Sequence, residues 1–313
     1  MNAPPNPALP GPTQAGFTLA LPPGYRTLDM LGYHGRDPLS RSERVTGLTL
    51  VKAMRVPGPA GIPGALEMEM TFLGAEVRCQ VRMEPGVEPP AMAELQRRAV
   101  RMLGLGTDPE PFERFAADTE LGPLVASRPG LRIPLTADVW ESLVWAIVGQ
   151  QVNLAFAYSL RRRLTELCGT PTASGLCAHP GPAAVAALEP AELQPLRFSR
   201  AKAEYVIGLA RKVAAGDLPL ERLPEADADS AARMLAAQRG IGPWTCHYVL
   251  MRGCGFADCL PLGDAGLTLA LQRLRQLDHR PGAAETAALM APFAPHRSLA
   301  TFHLWASLKG VPA

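Results

Sequence analysis

The stretch from Leu235 to Leu267, LAAQRGIGPWTCHYVLMRGCGFADCLPLGDAGL, constrains this chain more than any other. A helical apolar pattern ends at Gly240-Ile241-Gly242, and Pro243 opens a second helix that runs to about Arg252, so a helix pair is expected over about 231–252. Gly240 and Gly242 permit backbone angles that a Cβ forbids. Proline suits the first turn of a helix, where its missing N–H costs nothing. The hairpin therefore presents bare N–H groups at a helix start, an anion site that fits a phosphate. A loop rich in Gly, Cys and Pro then delivers one acidic residue, Asp264, at the expected start of a helix over 265–274. Asp after Gly is also a common helix N-cap, so from local sequence alone Asp264 reads as a cap as readily as a reactive carboxylate.

These residues resemble the helix-hairpin-helix DNA glycosylase superfamily, and within it the bacterial DNA-3-methyladenine glycosylase II family. The likeness runs beyond the hairpin. DVWESLVWAIVGQQVNLAFA (Asp138 to Ala157) is similar to that family's helix and intercalation loop, RAKAEYVIGLARKVAAGDLPL (Arg200 to Leu220) to its next helix pair, APHRSLATFHLW (Ala294 to Trp305) to its closing helix, and LDMLGYHGRD (Leu28 to Asp37) to its N-terminal domain. It covers about residues 17–313 in the same order throughout.

The resemblance implies an α+β fold, an N-terminal antiparallel sheet domain followed by an all-α helix-hairpin-helix glycosylase domain. It implies Asp264 as the catalytic carboxylate and Tyr33, Trp244, Tyr248 and Trp305 as the aromatic substrate pocket. DNA contacts fall to Gln150 and Gln151 in the loop that enters the minor groove, and to Gly240, Ile241, Gly242 and Thr245 at the hairpin. The partner is double-stranded DNA containing alkylated bases, and nothing demands more than a monomer. The family's hairpin can hold a monovalent cation on backbone carbonyls, here around Gln238 and Ile241; no other cofactor and no metal is expected. The chain departs from the pattern at Gln151, where the best-known members carry an apolar wedge. Wedges are apolar because they replace lost stacking; glutamine can hydrogen-bond to the orphaned base instead.

The chemistry fits these residue types. The target nucleotide must leave the stack. Breaking the C1′–N bond builds positive charge on the sugar, which a nearby carboxylate stabilises. A cationic alkylated base is drawn to aromatic faces, and all four pocket positions are aromatic although Phe, Trp and Tyr make up only 6% of the chain. Relatives that also cleave the strand carry a Schiff-base lysine near the place of Trp244, so hydrolysis that stops at an abasic site is expected. Two alternatives stand beside it: a non-catalytic lesion binder of the same fold that does not need Asp264, and a lyase acting on oxidised bases, against which Trp244 argues. Asp258 is the rival carboxylate. His247 is expected to face away from the pocket. The six cysteines, Cys79, Cys168, Cys177, Cys246, Cys254 and Cys259, end before Asp264, so the four-Cys iron–sulfur cluster of some relatives is not expected, and Cys254 and Cys259 read as free thiols.

The chain has 313 residues, 47% of them apolar, enough for two or three packed units. A net charge of +2 means that any nucleic-acid face is local. Residues 1–15 are Pro-rich and read as a disordered tail, without a signal peptide or membrane span; a cytoplasmic protein is the default. Residues 16–90 read as the sheet domain and 91–313 as the helical domain. Ala65 to Phe72 and Val77 to Met83 alternate as strands joined by a turn, Leu48 to Val56 is a third strand, and one sheet face is apolar and the other charged. Tyr25 to Tyr33 reads as a short helix or turn. Arg97, Arg98 and Arg101 read as a solvated face, as do Arg161, Arg162 and Arg163. Asp138-Val139-Trp140-Glu141 reads as a capping box. The small Ala265 and Gly266, with Gln151, point to a roomier site that takes bases beyond 3-methyladenine, such as 1-methyladenine or 3-methylcytosine.

Overall fold

The computed structural model describes residues 13–308 apart from 59–62 and 84–85. Of the expected tail, residues 1–12 lie outside the described residues, but Thr13–Ala20 is strand β1, an edge strand whose Phe17 and Leu19 alternate with small and polar residues. β2 (Glu43–Thr46), β3 (Thr49–Val56), β4 (Gly64–Phe72) and β5 (Glu76–Met83) complete an antiparallel sheet of order β1-β5-β4-β3-β2. β1 and β2 escaped the sequence reading because each is an edge strand with few apolar residues. The stretch Tyr25 to Tyr33 holds a helix, Thr27–His34.

Register explains the core. Leu50 stands opposite Met70 and Met54 opposite Leu66, and Met70 and Leu66 also pair with Cys79 and Met83 on β5. This face is covered by the helix Met92–Met102 through Leu95, Ala99 and Met102, so that helix packs with the sheet although it follows the Pro-rich break. Burying each large apolar side chain stabilises by about 1.5–3 kcal/mol. The charged face, which the alternation leaves either wet or under a thin helical cover, carries a hairpin instead. A two-stranded hairpin (Thr170–Pro171 with Cys177–Ala178) lies on it, packing Leu176 and Ala178 against Ala53 and Ala65 and giving the hydroxyls of Thr172 and Ser174 to the buried Glu67.

Arg98, Arg101 and Arg161 depart from the solvated faces expected of them, and Lys52 is buried as well. Lys52 is buried on the apolar side of the sheet, 2.6 Å from Glu141 Oε1 and 3.7 Å from Glu43. The capping box is therefore half a box: Asp138 accepts from Glu141 N at 2.8 Å, but the Glu141 carboxylate is committed to Lys52. Arg98 donates to Arg55 O at 2.9 Å, and Arg101 donates to Gly253 O, so they join elements, while Arg97 alone stays exposed. Arg161 is buried between Glu43 at 3.4 Å and Asp37 at 3.7 Å. Charged residues enter cores only when paired, and pairing partners distant in sequence are invisible to periodicity.

The helix Val139–Gly149 runs through the helical core, buried from Val139 to Val148, and its far end delivers Gln150 and Gln151 to a cleft. The helix Ala228–Ala236, N-capped by Asp227, leads to the hairpin. Pro243–Val249 follows, then a π turn at Leu250–Cys254, so the second hairpin helix widens where a regular one was expected. Among the described residues no helix is long and apolar enough to cross a membrane.

Candidate active site

Asp264 is both things its sequence allowed. Its Oδ1 accepts from Leu267 N at 2.8 Å and caps the helix Ala265–Arg275. The same oxygen accepts the indole N–H of Trp305 at 2.8 Å, and Oδ2 accepts that of Trp244 at 2.9 Å. A carboxylate offers about four lone-pair sites, so three hydrogen bonds fix its direction and leave room for about one more partner. The N-terminal helix dipole favours the negative charge there. Gly266 makes this geometry available: a Cβ on it would lie 3.1 Å from Trp305 Cδ1 and 3.2 Å from Asp264 Oδ1. The small residue thus opens no room for a larger base; the Trp305 ring occupies that space. The rival, Asp258, accepts two 2.6 Å bonds from Arg297 at the start of the closing helix Arg297–Ser307 and is spoken for.

Asp264 lines a cavity of about 1380 Å³. All four expected aromatic residues line it too. Tyr248 lies 5.2 Å from Trp244 and 6.2 Å from Trp305, ring centre to ring centre. Burial pushes the Tyr248 phenol up to about 12. Tyr33 reaches the same cavity from the helix Thr27–His34. The lining residues that were missed include Trp145 and Tyr158, 5.1 Å apart, and two arginines over the Tyr33 ring, Arg36 at 3.8 Å and Arg252 at 4.3 Å. The signal was present, since Trp145 and Tyr158 flank the Gly149–Val152 loop and Arg36 lies three residues past Tyr33.

The residues expected to contact DNA form a second group. Gly240 is left-handed at φ +90°, and a Cβ there would meet the Tyr205 ring at 2.5 Å, so glycine is required. Gly242 differs from expectation: at φ −87° and ψ 178° it is extended backbone open to any residue, and a Cβ would meet nothing. Ile241 is buried. Gln150 and Thr245 turn inward. Gln150 Nε2 donates to Gly240 O at 2.8 Å and to Thr245 Oγ1 at 2.9 Å, and the Thr245 side chain is buried. They fasten the Gln150-Gln151 loop to the hairpin. Lys202 adds a second clasp from Nζ to Val148 O at 2.6 Å and Gln150 O at 2.8 Å. Gln151 projects between these anchors, exposed, at φ +54°. A non-glycine residue held left-handed is strained, and such strain collects at functional sites. Of the carbonyls expected to hold a monovalent cation, Gln238 O accepts from Ile241 N at 3.2 Å, and the neighbouring Gly240 O accepts from Gln150. Neutral carbonyl oxygens of this kind suit an alkali ion and not a thiolate-seeking metal. His247 does not line the cavity.

Residues 144–295 match the model of the HhH-GPD superfamily base excision DNA repair protein. DNA-3-methyladenine glycosylase 2 of Escherichia coli (strain K12) is 30% identical over 294 residues, covering 92% of this chain and 96% of that protein. The chain belongs to the bacterial DNA-3-methyladenine glycosylase II family. A second member, the DNA-3-methyladenine glycosylase of Bacillus subtilis (strain 168), is 36% identical over 205 residues, 64% of this chain and 68% of its own. The fold agrees with the 3-methyladenine DNA-glycosylase from Archaeoglobus fulgidus, at a TM-score of 0.77 and 21% identity, covering 94% of this chain and 100% of that one. This member of the family carries Trp244 beside Asp264 and an exposed glutamine, Gln151, where a wedge is expected. Its six cysteines are free; burial pushes the Cys254 and Cys259 thiols up to about 12, far from a reactive range. Among the described residues no cluster of His, Cys, Asp and Glu has the arrangement of a metal site.

Proposed function

We propose that the protein is a monofunctional DNA glycosylase that flips alkylated bases such as 3-methyladenine from duplex DNA and hydrolyses their N-glycosidic bond, leaving an abasic site in base excision repair. One observation carries the reading. A carboxylate clamped by two indoles lines a large aromatic cavity, which the hairpin residue Gly242 and the exposed Gln151 also line. Hairpin N–H groups hold the phosphate backbone, and Gln151 fills the place of the flipped nucleotide. The cationic base lies against the aromatic faces, each worth about 0.5–2 kcal/mol. As the C1′–N bond breaks, both its electrons go to the base, which leaves neutral. Asp264 stabilises the positive charge left on the sugar, water adds to C1′, and its released proton passes to solvent. A monovalent cation on the carbonyls near Gln238 and Ile241 would add charge against the phosphate, and no bond-breaking step passes through it.

Trp244 has no amine, so no Schiff base forms at its position. The test is release of free base from methylated duplex, with abasic sites that break only on alkali treatment and no borohydride-trapped protein–DNA adduct. Trapping of an adduct would replace this reading with a lyase.

A further inference from the structure

Arg252 is the largest of the fully buried side chains, 1% exposed on the π turn Leu250–Cys254. Its Nη1 and Nη2 atoms have no hydrogen-bond partner among the described residues. A buried charge without an acceptor is expensive. What faces it is aromatic: Tyr33 at 4.3 Å and Phe302 at 5.6 Å. Arg36 lies over the same Tyr33 ring at 3.8 Å and makes no ion pair among the described residues. The nearby Arg161, by contrast, is neutralised by Glu43 and Asp37. Two guanidiniums without a direct ion pair among the described residues therefore stand on the Tyr33 wall of the cavity, Glu43 acting on Arg36 only through space, and Asp264 stands on the wall formed by Trp244 and Trp305. Both leave a mark on Tyr33: burial pushes its phenol up, but the Arg252 and Arg36 charges reverse that and lower it.

We infer that Arg252 and Arg36 are the electrostatic counterpart of Asp264, acting through the Tyr33 wall on the departing base as Asp264 acts on the sugar. This rests on the glycosylase reading above. During the reaction a pair of electrons moves from the C1′–N bond onto the base. A cationic base becomes neutral, and a neutral base gains negative charge. In both cases positive charge on the base side is better accommodated after bond breaking than before, and a carboxylate on the sugar side gains as the sugar becomes cationic. The two signs of charge on opposite partners form a field aligned with the reaction, worth most where water is excluded. The arginines thus oppose ground-state binding of a cationic base and favour its departure. Packing alone cannot produce that combination.

The experiment measures single-turnover release and the half-saturating enzyme concentration on two duplexes, one with 7-methylguanine, which is cationic, and one with hypoxanthine, which is neutral. Wild type, Arg36→Met, Arg36→Lys and Arg252→Met are compared, with thermal melting as a check on folding. The expected result for Arg36→Met is an about tenfold slower release on both duplexes. Half-saturation should move to lower enzyme concentration on the cationic duplex only, and Arg36→Lys should keep most of the rate. Arg252→Met should behave alike if it melts as a folded protein; if it does not, Arg36 decides. If wild type releases only 7-methylguanine, slower release with tighter binding on that duplex still supports the inference. Wild-type rates in Arg36→Met, or slower release with weaker binding on every duplex, overturn it. No release of either base by wild type instead removes the glycosylase reading itself.

Discussion

Trp244 donates its indole N–H to Asp264 Oδ2 at 2.9 Å from a position twenty residues earlier in the chain. One side chain thus serves as pocket wall and as clamp on the carboxylate, and it links the hairpin helix Pro243–Val249 to the helix that Asp264 caps. Trp244→Phe keeps the ring and removes the donor. Hydrogen bonds to charged groups contribute about 1.5–3 kcal/mol, so single-turnover release should fall about 10- to 100-fold with little loss of affinity for lesion DNA. Undiminished release would mean that the clamp is ornamental.

Gly266 tests the other indole. A Cβ there would come 3.2 Å from both Asp264 Oδ1 and Trp305 Nε1. Gly266→Ala should push Trp305 away from the carboxylate, slow release by about tenfold or more and change tryptophan fluorescence. If the variant instead accepts bulkier bases at wild-type rates, the space beside Asp264 belongs to substrate and not to Trp305.

Gln151 should trade stability against function. Its left-handed backbone at φ +54° costs about 1 kcal/mol or more in a residue with a Cβ. Gln151→Gly should therefore raise or hold the melting temperature while weakening base flipping, read by 2-aminopurine fluorescence placed opposite the lesion. Loss of both would show that the glutamine side chain supports the fold.

Acid should destabilise the fold through two histidines. His179 and His303 are buried with neither ring nitrogen hydrogen-bonded among the described residues, and burial pulls each from 6.5 down to about 4. The unfolded chain takes up these protons as pH falls below about 6.5, whereas the folded chain waits until about 4. The unfolded state holds more protons in between, so stability is full above 6.5 and is lost as pH drops towards 4. Denaturant midpoints at pH 7 and pH 5 measure the loss, and His303→Leu should shrink it. An unchanged pH slope in that variant would contradict the assignment.

What the sequence disclosed follows from range. The hairpin, the sheet strands β3 to β5 and the four pocket aromatics depend on local patterns or on matched segments, and each was legible. The partner relations were not. Nothing local says that Glu141 answers Lys52, that Arg161 answers Asp37 and Glu43, or that Gly266 exists to admit Trp305. Arg36 and Arg252 stayed invisible for the same reason: their shared partner, Tyr33, lies three residues from one and more than two hundred from the other.

The measurement that bears most directly on the account is base release from methylated duplex by wild type and by Asp264→Asn, with DNA binding followed in parallel. Asparagine keeps the shape and, with its oxygen in the place of Oδ1, the bonds from Leu267 and Trp305, but its amide nitrogen cannot accept from Trp244, and it removes the charge. The account predicts that wild type releases methylated purines, while the variant binds lesion DNA and releases them at least about a hundredfold more slowly. Release by Asp264→Asn at the wild-type rate would contradict it and leave Asp264 as a helix cap alone.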